Sequence, residues 1–208
     1  MTLHEPTPAP RILIIDDNLS IHEDFKKILL RETTSDRRMD DLEAVLFGDT
    51  KPFFTPPDYM IDFATQGQDA LAMVEQARDA GNPYALAFVD GRMPPGWDGI
   101  ETIHHLWKAN PELQMVLCTA YADYSWEEIQ QKLGVTDSLV ILKKPFDIAE
   151  VLQLTHALTR KWELHRQIQG RLHQLAYFDS LTGLPNRTQF LNSLTRTLND
   201  SHKNHKKS

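Results

Sequence analysis

The sequence predicts an α/β fold: a doubly wound, five-stranded parallel sheet followed by a long C-terminal helical extension. Three observations carry this reading. Short Ile-, Val- and Leu-rich runs alternate five times with segments of helical period. Four of the five runs stop abruptly at Asp, Thr or Lys. Beyond Asp147 the alternation ends, and only three- and four-residue apolar spacing remains.

Arg11–Ile15, ended by Asp16-Asp17-Asn18, has the pattern of a buried parallel strand. Ser20 is placed to cap the next helix, with Glu23 completing a capping box. Ile21, Phe25, Ile28 and Leu29 supply its apolar stripe, so a helix is predicted over 20–31. Tyr59–Phe63 is the second strand. Gln68–Ala80 is the second helix, with Ala70, Leu71, Val74 and Ala77 inward. Tyr84–Val89 is the third strand. After the loop MPPGWDG, Ile100, Ile103 and Leu106 mark a helix that ends before Asn110-Pro111. Leu113–Cys118 is the fourth strand. Trp126–Leu133 is a helix with Gly134 as its C-cap. Leu139–Leu142 is the fifth strand, and a long helix begins near Asp147. Residues 32–57 are far longer than the ~2–6 residues such a connection needs. They read as an insertion, either a lightly packed elaboration or a docking element. Residues 1–10, polar and Pro-rich, are expected to form a disordered arm.

The 208 residues, 41% hydrophobic and 25% charged, suffice for one full domain and a remainder. The net charge of -7 argues against a dedicated nucleic-acid binder. The charge is uneven: residues 159–208 carry a net +6 and residues 1–158 a net -13. The single cysteine, Cys118, excludes a disulfide framework and a Cys-based zinc site, and reads as a small buried strand residue. The start lacks an apolar h-region. The longest apolar runs fall well short of the ~18 residues of a membrane span. A cytoplasmic chain with no membrane insertion is expected.

Doubly wound sheets bind ligands at the carboxyl ends of their strands. That rule gathers Asp16, Asp17, Asp90, Thr119 and Lys144 at one edge. Three carboxylates there repel one another, and a divalent cation relieves the repulsion. Few carboxylates with room for water suit Mg²⁺ better than Ca²⁺. A lysine and a hydroxyl facing the same edge suit a phosphoryl group. A carboxylate in such a site can become an aspartyl phosphate. Taken singly, each residue has an ordinary reading. Asp16 and Asp17 could be acids at a helix N-terminus, Thr119 a strand-end hydroxyl, and Lys144 a solvated charge. His104 and His105 are adjacent on a helix, about 100° apart, which disfavours a shared metal.

IIDDN, FVDGRMPPGWDG, LCTAY and LKKPF together resemble the phosphorylation-site motifs of response-regulator receiver domains, in order and spacing, over roughly residues 10–146. The resemblance implies a flavodoxin-like strand order 2-1-3-4-5. It makes Asp90 the phospho-acceptor, Asp17 a direct Mg²⁺ ligand and Asp16 a ligand mainly through water. The backbone carbonyl of Arg92 would be a further ligand. Thr119 and Lys144 would contact the phosphoryl group, and the bond before Pro145 would be cis. The implied partner is a histidine kinase or phosphotransfer protein, and the implied role regulatory rather than enzymatic. Three features depart from the family. Ile141 stands where receivers usually place an aromatic switch residue. The loop PPGWDG is one residue longer than usual and is expected to bring Trp97 beside the site. Arg92 and Tyr121 occupy the positions that tune phosphoryl lifetime, and their bulk is expected to lengthen it. A haloacid-dehalogenase-type phosphatase uses similar groups but needs a DxD motif after the first strand; here the pair is DD.

Val151, Leu154, Leu158, Ile168, Leu172 and Leu175 continue an alternating three- and four-residue step, with Lys161 and His165 as polar breaks. This pattern fits either a dimeric coiled-coil connector over 147–178 or a helix packed on its own domain. DSLTGLPNR at 179–187 resembles the opening of GGDEF domains, the diguanylate cyclase fold. It implies that 179–208 are the start of such a domain, without its catalytic residues. This chain would then be the inactive regulatory fragment of a cyclic di-GMP enzyme.

Overall fold

The computed structural model describes residues 9–30, 58–120, 124–179, 182, 184–187 and 189–190. The insertion at 32–57, Tyr121 and residues 1–8 and 191–208 lie outside them.

The first strand, β1 (Arg11–Ile15), leads into α1 (Leu19–Leu29); β2 (Met60–Ala64) and α2 (Gly67–Asp79) follow. Then come β3 (Leu86–Asp90), α3 (Gly99–Ala109), β4 (Gln114–Thr119), α4 (Trp126–Leu133), β5 (Leu139–Lys143) and α5 (Ile148–Tyr177). The five strands form one parallel sheet in the order β2-β1-β3-β4-β5. Fold class and strand order are as expected. Most boundaries agree to within two residues, because the polar stops that end the strands are chemical events in the sequence.

Alternation along the strands divides the core in two. Leu13, Ile15, Ala87, Val89, Met115 and Leu117 point to one face, against Ala70 and Val74 of α2, Ile100 and Ile103 of α3 and Ile129 of α4. Ile12, Ile14, Leu86, Phe88, Val116 and Cys118 point to the other, against Phe25 of α1 and Val151 and Leu158 of α5. Between their polar ends the central strands are therefore apolar on both faces, which is why they read as continuous runs rather than alternating ones.

Helix ends follow local side-chain chemistry. The first helix starts one residue earlier than expected, and its cap is Asn18 rather than Ser20. Asn18 Oδ1 accepts the Ser20 N–H at 3.0 Å, while its own N–H is held by Asp16 Oδ1 at 2.9 Å. At α4, Ser125 and Glu128 form a reciprocal capping box, and Gly134 ends the helix at φ +78°. Pro10, expected in a disordered arm, is buried, and its carbonyl accepts the Met60 N–H at 3.1 Å.

Contacts divide the chain into two units, residues 1–162 and 163–208. In the first unit, Val151, Thr155, Leu158 and Trp162 of α5 are buried. Lys161, an expected break in the apolar seam, reaches Asp137 just before β5: its Nζ donates to the carbonyl and lies 2.9 Å from Oδ2. The seam expected to run from Val151 to Leu175 is thus divided. Its first part packs on the chain's own core, because sheet and α1 present apolar surface there. In the second unit, α5 continues through Gly170, and Ile168, Leu172 and Leu175 are 56%, 55% and 69% exposed. After α5, Asp179 Oδ1 accepts the N–H and hydroxyl of Thr182 at 2.9 and 2.8 Å. Phe178 pairs with Pro185, and Asn186 Oδ1 accepts the Gln189 N–H at 3.0 Å, the pattern of an N-cap.

The sheet's amino end is closed by a polar knot. Arg11 donates to Asp62 Oδ2 at 2.6 Å and to the Tyr84 hydroxyl at 2.9 Å; that hydroxyl donates to the same Asp62 oxygen at 2.9 Å. The guanidinium carbon also sits 4.2 Å from the Tyr84 ring centre. Burial, then the bond to Asp62, pushes the Tyr84 phenol far above its ordinary range, so it stays a donor. Tyr84→Phe is therefore expected to lower stability by about 1–2 kcal/mol, read as a lower urea midpoint at unchanged slope. An unchanged midpoint would show the knot to be energetically idle.

Candidate phosphoryl-acceptor site

The site is assembled at the carboxyl end of the sheet, where register does most of the positioning. β1 and β3 pair Ile15 with Val89, so the next residues, Asp16 and Asp90, emerge side by side. β3 and β4 pair Asp90 with Cys118; β4 and β5 pair Thr119 with Lys143. Hydrogen bonds continue beyond the strands. Asp16 N–H donates to the Ala64 carbonyl at 3.2 Å, Gly91 N–H to Cys118 at 2.8 Å and Lys144 N–H to Thr119 at 2.9 Å.

Asp16, Asp17 and Asp90 each offer a carboxylate oxygen within 4.8 Å of the others. Asp16 is 3% exposed, Asp17 is exposed, and Asp90 is intermediate. Lys144 Nζ donates to Asp90 Oδ1 at 2.7 Å and to Asp16 Oδ2 at 2.9 Å. One cation thus faces three carboxylates. Burial raises the Asp90 carboxyl above its ordinary range, opposed by the Lys144 hydrogen bond and charge and assisted by the charge of Asp16. For Lys144, burial pulls the ammonium down, but its bonds to Asp90 and Asp16 together outweigh this and raise it. The lysine is a cation at neutral pH.

The donor set tests the metal reading. It is all oxygen, and it carries two more negative charges than Lys144 neutralises. Its outermost member, Asp17, faces solvent. That fits a hard, partly hydrated divalent cation such as Mg²⁺. Asp16 has both oxygens already engaged, one by Asn18 N–H and one by Lys144.

Thr119 closes β4 at 5% exposure, and its hydroxyl donates to the Ala120 carbonyl at 3.1 Å. Arg92 is exposed. The Lys144–Pro145 bond is cis, and so is Pro94–Pro95, which carried no signal in the sequence. Phe146 then packs on Phe25, ring centres 5.6 Å apart, tying the loop after Lys144 to the core. Gly99 brings α3 against the end of β3: a Cβ there would lie 2.5 Å from the Asp90 carbonyl oxygen. Gly99 N–H donates to the Gly91 carbonyl at 3.0 Å.

Trp97 lies in the loop that leads from β3 to α3. It stacks on His105 of α3, centroids 4.1 Å apart and planes 11° apart, and meets Gly67 at the start of α2. His104 meets His105 edge-on at 5.9 Å. Among the described residues, the three aspartates are the only potential metal-binding cluster. Cys118 is buried, and burial drives its thiol pKa far up, keeping it protonated. One residue escaped the sequence reading altogether. Tyr124, between β4 and α4, donates its hydroxyl to the Gly91 carbonyl at 2.8 Å. An aromatic ahead of a capping serine was its only local signal.

Comparison with known proteins follows the same line. A signal receiver domain of an HD domain-containing protein from Pseudomonas fluorescens Pf-5 superposes with TM-score 0.57 at 18% identity, covering 80% of this chain and 98% of that one. An adenylate cyclase structure from Rhodopirellula baltica gives 0.59 at 19%, with 80% and 98% covered. The N-terminal domain of a response regulator/sensory box/GGDEF 3-domain protein from Carboxydothermus hydrogenoformans gives 0.50 at 18%, with 74% and 98% covered. Identities this low establish the fold alone. No curated protein matches the chain. The sequence matches the response regulator receiver domain over residues 39–156, a span that begins after β1 and α1 and holds Asp90, Thr119 and Lys144. That span is more than half of the chain, and it lies within a sheet of the matching order: the chain belongs to the response regulator receiver domain family.

Proposed function

We propose that Asp90 accepts a phosphoryl group from a phosphohistidine on a kinase or phosphotransfer protein, and that this switches an output domain beyond α5. The observation that carries the reading is the Lys144 ammonium, 2.7 Å from Asp90 and 2.9 Å from Asp16 at the strand edge. An Asp90 carboxylate oxygen attacks phosphorus. The new P–O bond forms as the P–N bond to the donor breaks, and the electron pair leaves with the imidazole nitrogen. Lys144 then pairs with a phosphoryl oxygen, and the Thr119 hydroxyl turns from Ala120 to donate to another. Asp17, Asp90 and, through water, Asp16 would hold Mg²⁺, with the Arg92 carbonyl as a further ligand; when bound, the ion neutralises the phosphoryl oxygens. Arg92 and Tyr121 restrict attacking water.

Incubation with acetyl phosphate and Mg²⁺ is expected to add one phosphoryl mass, absent in Asp90→Ala. Asp17→Ala is expected to weaken Mg²⁺ binding at least about tenfold by titration calorimetry. The Arg92→Ala/Tyr121→Ala double variant is expected to lose the added mass faster than wild type. Turnover of phosphate esters without a phosphorylated intermediate at Asp90 would instead favour a phosphatase.

The output is read as cyclic di-GMP signalling in the cytoplasm. Residues 179–187 resemble the opening of a GGDEF domain, and a domain of the same fold comes from a response regulator/sensory box/GGDEF 3-domain protein. In the second unit, Ile168, Leu172 and Leu175 form an exposed stripe at four- and three-residue spacing. Its partner is read as the same stripe on a second copy, in a two-stranded coiled coil with His165 at a polar seam position. Light scattering is expected to give twice the chain mass. Ile168→Lys/Leu172→Lys is expected to give a monomer that is still phosphorylated. A monomeric wild type would remove the dimer.

A further inference from the structure

The tyrosine that the sequence reading missed stands between the phospho-acceptor and the following helix. Tyr124 donates its hydroxyl to the carbonyl of Gly91, the residue directly after Asp90. That carbonyl also accepts the first N–H of α3, at 3.0 Å, so two elements meet on one oxygen. Gly91 is buried and packed on three sides. A Cβ built there would lie 3.4 Å from Thr119 Oγ1, from Tyr124 Cε2 and from the Cys118 carbonyl oxygen. The hydroxyl expected to turn toward a phosphoryl group and the Tyr124 ring therefore flank the same small residue. On its other side Tyr124 is chained to Ser125, the N-cap of α4, whose capping box with Glu128 fixes the first turn of that helix. Its ring packs against the core cluster that holds Ile129 of α4, as does Ile141 of β5.

We infer that Tyr124 is the positioning residue that couples the phosphorylation state of Asp90 to the placement of α4, through its hydrogen bond to Gly91. Ile141, with neither ring nor hydroxyl, has no donor for this task. The chemistry is one of differential contact. In the present arrangement Thr119 donates to Ala120, and Tyr124 holds the Gly91 carbonyl. When the Thr119 hydroxyl turns to a phosphoryl oxygen, the packing at Gly91 changes on the side shared with the ring. The Tyr124 bond is then broken or re-aimed, and the α4 N-terminus follows its cap. A change confined to the site would give α4 no reason to move; the bond supplies one.

The inference rests on the phosphorylation of Asp90, and the test separates the two. The whole chain is labelled with 5-fluorotryptophan, and its ¹⁹F resonances are followed with acetyl phosphate and Mg²⁺, alongside intact mass. Trp97 lies in the loop between β3 and α3, and Trp126 is the first residue of α4, more than half exposed. Each signal is assigned by its Trp→Phe variant. Wild type is expected to shift both resonances. Tyr124→Phe is expected to gain the same phosphoryl mass and to keep the Trp97 shift, while most of the Trp126 shift is lost. A Trp126 resonance unmoved in phosphorylated wild type, or moved equally in Tyr124→Phe, overturns the coupling. Absence of added mass in wild type overturns the phosphorylation reading instead. If a thermal melt shows Tyr124→Phe to be unfolded, Tyr124→His takes its place, since its shorter ring cannot span to Gly91.

Discussion

The carboxyl end of the sheet depends on one ammonium group. Lys144 bonds two carboxylates that lie 128 and 54 positions away in sequence. Without it, three acids would share one edge with no fixed countercharge, and Asp16 and Asp90 would be shielded from water without a cationic partner. With it, the edge is only partly neutralised. That leaves a net negative edge, which suits the cation and phosphoryl chemistry proposed for it. Everything upstream serves this placement. The parallel register sets Asp16 beside Asp90, the hydrogen bond from Lys144 N–H to Thr119 carries β5 past its last strand residue, and Phe146 pins the loop to Phe25.

How much of this was legible depends on whether the cause was local. Strand ends were, because Asp16, Asp90 and Thr119 interrupt apolar runs, and the rule placing ligands at strand ends did the rest. The cap of α1 was not: Asn18 and Ser20 are both good caps, and the choice fell to Asn18 because Asp16 holds its N–H. The stack of Trp97 on His105 was not legible either, because His105 lies nearly two turns into the next helix and no local pattern marks the pair. The reach of Tyr124 to Gly91 is a tertiary fact with no sequence period behind it. The same is true of the fork of Lys144: two acids and a lysine could be named, but not which oxygens they share.

The last helix shows one periodic pattern serving two purposes. Its three- and four-residue spacing is continuous in the sequence, yet Val151 and Leu158 are buried in the core while Ile168, Leu172 and Leu175 are exposed. Lys161 marks the change: too polar for a core position, it is only partly exposed and its head reaches Asp137. A polar residue within an apolar stripe is therefore informative about where a surface ends.

The sole sulfhydryl is Cys118, fully enclosed in β4 and held protonated by its surroundings. Thiolate-directed reagents find little to attack in the folded chain. A cysteine introduced at an exposed position, such as that of Trp126 or Leu172, would thus be the single reactive thiol without any need to delete the native one. The protein comes ready for site-specific spin or fluorophore attachment.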